Sequence, residues 1–135
     1  VVLADTSVWV EFSRRGSAGR AAALAGLLDA GEVATCGPVA AELLAGAGGE
    51  VAERLWETLN SLPWADLAPA SWREVGTLAA RLRADGQTLP LTDLVIAVAA
   101  TRGGHTLWSH DADFDRIGSV LTQLERYEPL AGGPA

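Results

Sequence analysis

Seven consecutive apolar residues, Leu94-Val95-Ile96-Ala97-Val98-Ala99-Ala100, constrain the fold of this chain more than any other feature. The run is far short of the roughly 20 residues a helix needs to cross a bilayer. With Thr92 as its cap, it predicts a helix from about Asp93 to Arg102 that is apolar on nearly every side. Such a helix has to be covered on most sides, so it belongs at the centre of a layered domain. The rest of the chain supplies the layers. Short strands are expected over Val1–Ala4, Val33–Cys36, Trp64–Leu67, His105–Ser109 and Leu121–Arg126. Between them, helices are expected over Ser7–Arg14, capped by Thr6 or Ser7, and over Ala18–Ala30, with Leu24, Leu27 and Leu28 on one face. Further helices start at Pro38, at about Gly49 and at Pro69, and Asp113–Ile117 forms a short turn. Trp72, Val75, Leu78, Ala79 and Leu82 share a face of the Pro69 helix. Strands alternating with helices predict an α/β domain with a mostly parallel sheet. In such sheets, right-handed crossovers leave few topologies, and sites form beyond the carboxyl ends of strands.

At 135 residues and 49% apolar content the chain is one folded domain. The domain is expected over residues 1–130, and 131–135 (Ala-Gly-Gly-Pro-Ala) as a flexible tail. No basic, apolar, small-residue leader is visible, so no signal peptide is expected. Cys36 is the single cysteine, which excludes an internal disulfide and fits a reducing cytoplasm. The net charge of −7 argues at first against nucleic acid, because phosphate binding usually uses a basic face. That inference fails where part of the negative charge belongs to a metal site and the bound cation supplies the positive charge.

Four acids stand where such a site would form. Asp5 ends the first strand, Asp111 follows the strand before it, and Asp93 opens the apolar helix. Glu42 borders the apolar face of the helix that begins at Pro38. Singly, each has a structural reading. Asp5 suits a turn or a cap, Asp93 the positive end of its helix, and one acid of Asp111-Ala112-Asp113-Phe114-Asp115 suits a cap or the surface. Glu42 has no capping role to explain it. Together they demand a counter-charge, since two carboxylates about 4 Å apart repel by roughly 4 kcal/mol at an effective dielectric near 20. An all-oxygen donor set favours Mg²⁺ or Mn²⁺ over zinc. One or two such ions serve phosphodiester hydrolysis, so the residues alone predict a metal-dependent phosphoryl-transfer site, most simply a nuclease.

The same residues resemble the PIN-domain ribonucleases, and among them the VapC toxins of VapBC toxin–antitoxin pairs. Leu3-Ala4-Asp5-Thr6-Ser7 resembles the first family motif, Glu42-Leu43-Leu44 the second and Leu91-Thr92-Asp93-Leu94 the third. Ser109-His110-Asp111-Ala112-Asp113-Phe114 resembles the fourth, with Ser109 where Thr is usual. The resemblance implies a Rossmann-like three-layer fold with sheet order 3-2-1-4-5. It implies catalytic acids Asp5, Glu42, Asp93 and Asp111, which hold one or two Mg²⁺ or Mn²⁺ ions, with Asp113 as an additional ligand. It assigns Ser7 and Ser109 to orienting the acids. It further implies an endoribonuclease acting on structured RNA such as transfer or ribosomal RNA. The partner would be a VapB-type antitoxin that sends an Arg toward the acidic cleft, and the toxin would be a homodimer.

Arg14, Arg15 and Arg20 are candidates to hold RNA phosphates, or are simply solvated helix ends. His110 is expected to be a core or surface residue and not the general base, and His105 structural. Trp72 and Trp108 are expected in the core; Trp9, Trp56 and Trp64 are candidates for a dimer or antitoxin surface. Haloacid-dehalogenase-type phosphatases and response-regulator receivers also place acids at strand ends. Both need a Lys, and all ten basic residues here are Arg. A catalytically silent PIN-like module that only binds RNA or protein is the remaining alternative.

Overall fold

The computed structural model describes residues 1–129. The tail expected over 131–135 lies outside the described residues. Three short strands form a parallel sheet: β1 (Val2–Ala4), β2 (Val33–Ala34) and β3 (Thr106–Trp108), in the order β2-β1-β3. β1 is central and wholly buried, and it pairs Leu3 with Ala34 on one side and with Leu107 on the other. The expected order 3-2-1-4-5 is present in its middle three positions. Each outer position is a single parallel bridge, Thr35 with Trp64 and Leu107 with Arg126. The strand expected over Val33–Cys36 stops at Ala34 because Cys36 already caps the next helix.

Seven helices flank the sheet among the described residues. α1 (Thr6–Arg15) follows β1 directly, and its cap is Asp5, not Thr6 or Ser7. The extended backbone of Asp5 at the strand end aims its carboxylate at the Ser7 amide, the geometry an N-cap requires. The helix expected from Ala18 is shorter: a 3₁₀ turn (Gly16–Ala18) ends at extended Gly19, and α2 spans Ala23–Asp29. α3 (Gly37–Ala45), α4 (Gly49–Asn60) and α5 (Pro69–Ala84) start at or next to Pro38, Gly49 and Pro69, as expected. α7 (Asp113–Val120) is longer than the expected turn, because Phe114, Ile117 and Leu121 bury one continuous face.

α6 (Leu91–Arg102) is the central helix. Leu94 through Ala100 are all buried, and the helix touches α3, α5, α7 and β3. Each large aliphatic side chain buried there contributes about 1.5–3 kcal/mol of transfer free energy. Thr92 does not cap it; the cap position is Pro90, and Thr92 lies exposed in the first turn. Trp72 is also a correction. It has core spacing on α5 but is 53% exposed. The Glu74–Arg102 ion pair marks where α6 ends beside α5, so Trp72 projects past the helix that would have covered it. Trp108 is buried as expected. No helix among the described residues is long and apolar enough to cross a membrane.

Candidate active site

Parallel register brings the first two acids together. Ala4 pairs with Trp108, so the next residues, Asp5 and Ser109, leave the sheet side by side. The Asp5 amide donates to the Trp108 carbonyl at 2.9 Å. α6 leads into β3 through a short turn and therefore runs back against it. Its first turn, with Asp93, lies at the same carboxyl end of the sheet. α3 begins straight after β2 and sets Glu42 at this end too. Asp5, Glu42, Asp93 and Asp111 line one cleft of about 380 Å³, together with Thr6, Ser7, Glu11 and Arg14.

Asp5 is the fixed point of the cleft, buried at 5% exposure. Its Oδ1 accepts from the Ser7 amide at 2.9 Å and from the Ser7 hydroxyl at 2.5 Å, and its Oδ2 accepts from the Ser109 hydroxyl at 2.7 Å. Both serines also accept: Ser7 Oγ from the His110 amide at 3.0 Å, Ser109 Oγ from the Asp111 amide at 2.9 Å. The two hydroxyls thus tie the end of β1 to the loop that carries Asp111. Glu42 is held separately, by the Thr6 hydroxyl at 3.0 Å.

Carboxylate oxygens of Asp93, Asp111 and Asp113 lie within 4.8 Å of one another. At that spacing each ionised pair repels by about 3–4 kcal/mol at an effective dielectric near 20. The strain appears at Asp93, whose carboxyl is pushed up to about 6 by burial first, then by Asp111, Asp113, Asp5 and Glu42. An all-oxygen group whose members resist joint ionisation fits a hard divalent cation. Asp113 therefore stands beside Asp93 and Asp111, and its own amide donates to Asp111 Oδ1 at 2.9 Å. Asp115 points elsewhere, to Arg126 at 2.9 Å. The same guanidinium donates to the Ser109 carbonyl at 3.4 Å and lies 5.8 Å from the Phe114 ring centre, so it clamps the Ser109–Asp113 loop onto α7.

The basic candidates separate. Arg14 lines the cleft; Arg15 is exposed and lies 3.9 Å from Glu11; Arg20 belongs to a neighbouring cavity. Glu11 is a cleft residue that the motif reading passed over. Its signal was present, since Ser7, Val10, Glu11 and Arg14 follow the spacing of one helical face and all four line the cleft. His110 sits edge-on to Trp108 at 6.3 Å. Burial, then Arg20, holds its imidazole below the usual value, against opposing pulls from Asp5 and Glu11. Burial pushes the Cys36 thiol up to about 11, so it is no nucleophile.

The family model described as the PIN domain matches residues 2–120. A VapC ribonuclease of Mycobacterium bovis and the Ribonuclease VapC11 of Mycobacterium tuberculosis are each 34% identical over 125 residues, which is 89% of this chain and 93% of the relative. Among solved structures, VapBC-1 of nontypeable Haemophilus influenzae is similar with a TM-score of 0.73 at 17% identity, over 94% of this chain and 96% of that one. VapBC2 of Rickettsia felis, bound to a DNA fragment from its promoter, gives 0.70 at 20% identity, over 94% and 97%. VapC20 of Mycobacterium tuberculosis, a toxin that cleaves the sarcin–ricin loop, gives 0.68 at 17% identity, over 96% and 100%.

Proposed function

Because this chain belongs to the PIN-domain family, with VapC ribonucleases as its relatives, we propose that it is the endoribonuclease toxin of a toxin–antitoxin pair. The observation that carries the reading is the convergence of Asp5, Glu42, Asp93 and Asp111 in one cleft at the carboxyl end of the sheet. These four acids, with Asp113, would hold one or two Mg²⁺ or Mn²⁺ ions. The ion supplies an acidified water and a counter-charge for the leaving oxygen of the cleaved phosphodiester. Ser7 and Ser109 lock the orientation of Asp5, Thr6 steadies Glu42, and Arg14 meets a substrate phosphate at the cleft edge. Arg15, turned toward Glu11, has a weaker claim to that role. Structured RNA, transfer or ribosomal, is the substrate we favour, and the cytoplasm the compartment. The catalytic unit is residues 1–130.

A VapB-type antitoxin is the proposed partner. An apolar cavity of about 300 Å³ lies between α1, α3 and α4, lined by Trp9, Phe12, Leu43, Val51 and Leu55, and it shares Glu42 with the acidic cleft. A partner helix seated there could carry an Arg to the acids. Exposed Trp56 and Trp72 are candidate surfaces for a homodimer.

The test is direct. Purified protein is incubated with total cellular RNA and Mg²⁺ or Mn²⁺, beside an Asp93→Asn control, and the cut ends are mapped. Cleavage that depends on metal and is lost in the control is expected. Cleavage that survives EDTA, or that the control retains, refutes the assignment. No cleavage at any Mn²⁺ concentration favours the silent binding module. Growth arrest on expression, relieved by a co-expressed neighbouring gene, tests the toxin role separately.

A further inference from the structure

A further cavity, of about 460 Å³, is lined by Ser109 and His110, next in sequence to Asp111 of the acidic cleft. Arg20, Trp108, Ser109, His110, Tyr127 and Glu128 line it. Ser109 lines this cavity, and its hydroxyl donates at 2.7 Å to Asp5, which lines the cleft, so one hydrogen bond links the two spaces. The catalytic arrangement makes no use of this space. Its chemistry is that of a nucleoside pocket. Tyr127 is half-buried and braced against Trp108, with ring centres 5.1 Å apart, so an aromatic ring already fixed in place lines the cavity. Arg20 is exposed and makes no ion pair among the described residues. Glu128 offers an acceptor for the N–H edge of a base.

The electrostatics of the chain favour such a pocket. A cleft of five acids attracts cations but repels an RNA strand, and the net charge of −7 gives no general attraction. Affinity for a polyanion must then come from contacts beside the acids. Base–aromatic stacking is one that tolerates any sequence. We propose that this cavity is a nucleoside subsite. It takes the base adjoining the phosphate under attack, stacked on Tyr127, with Arg20 on the next phosphate. The proposal deepens the ribonuclease reading above and rests on it.

Tyr127 is the single tyrosine of the chain, so 3-fluorotyrosine incorporated throughout reports on this ring alone. The full chain is titrated with the four nucleoside 5′-monophosphates in Mg²⁺, and with ribose 5-phosphate as the probe without a base. Nucleotides are expected to shift the fluorine resonance to saturation, ribose 5-phosphate is not, and Arg20→Ala is expected to weaken the nucleotide response. In cleavage assays, Tyr127→Leu keeps an apolar side chain against Trp108 but loses the stacking face. It should raise KM about five- to a hundredfold with kcat nearly unchanged, and Tyr127→Phe should restore KM. Metal-dependent cleavage with a silent fluorine signal, or an equal response to ribose 5-phosphate, overturns the subsite and leaves the nuclease. A base-dependent shift without cleavage keeps the subsite and removes the nuclease.

Discussion

Replacing Asp93 by Asn should stabilise the metal-free protein at neutral pH, although it removes a residue we assign to the metal site. In the folded chain the Asp93 carboxyl titrates near 6, against a usual value of 3.8, because burial and four neighbouring acids disfavour its charge. A raised acid holds its proton longer when folded than when unfolded. Its contribution to stability is therefore complete below the unfolded value and is lost as pH climbs through the folded one. Two pK units correspond to about 3 kcal/mol, and solvent screening of this half-open side chain reduces that to about 1–2 kcal/mol. The amide of the Asp93→Asn variant has nearly the same shape and carries no charge at any pH, so the substitution removes the penalty. Urea denaturation in EDTA at pH 7.5 should show the variant more stable by that amount, and the gain should shrink steadily between pH 6 and pH 4. Saturating Mn²⁺ should reverse the order, since only the native acid set gains the binding free energy of the ion. A variant no more stable than the native protein in EDTA at pH 7.5, or a gain that persists unchanged at pH 4, would refute the electrostatic account of the cleft.

Ser109→Ala removes the donor to Asp5 Oδ2 and the acceptor for the Asp111 amide, so Mn²⁺ affinity measured by calorimetry should fall about 10–100-fold while the fold persists. Arg126→Ala frees the Ser109 carbonyl and Asp115 together and should lower stability by about 1–3 kcal/mol in urea denaturation. Arg126→Lys should recover only part of that loss, because an ammonium cannot span both acceptors. Cys36, buried with its thiol raised to about 11, should resist iodoacetamide in the native protein at pH 8 and react once urea unfolds it. Rapid native alkylation would contradict the packing around the start of α3.

Much of this fold was legible because its strongest signals are local. Leu94–Ala100 could only be an enclosed helix, and it is buried throughout. Pro38 and Pro69 marked helix starts because proline tolerates the first turn, and α3 and α5 begin there. What the sequence left open depends on tertiary partners. Trp64 and Arg126 each have strand-like surroundings, yet only one residue of each segment bridges to the sheet. Trp72 has core spacing, but whether a neighbour covers it depends on where α6 stops. Asp5 against Thr6 or Ser7 as the cap turned on the backbone angle at the end of β1, which composition does not carry. At the cleft, the acids could be singled out by their positions beside apolar segments. Glu11 needed the helical phase of α1 as well, and Arg126 needed the fold, because it is distant in sequence from everything it clamps.

The hydrogen bonds divide the acids into unequal roles. A carboxylate offers about four lone-pair sites. Asp5 has committed three of them to Ser7 and Ser109, which leaves one on Oδ2 for the cleft and fixes its direction. Glu42 has one oxygen engaged by Thr6, and Asp111 one engaged by the Asp113 amide. Asp93 accepts no hydrogen bond among the described residues, and burial and four neighbouring acids oppose its ionisation. It is thus the acid with most to gain from a cation and least able to stay charged without one. Asp5 acts as the rigid reference of the cleft, and Asp93 is the group whose ionisation would be coupled to binding of the proposed metal ion. Loading the ion should therefore release a proton near pH 6, and do so from α6, the helix packed against α3, α5, α7 and β3.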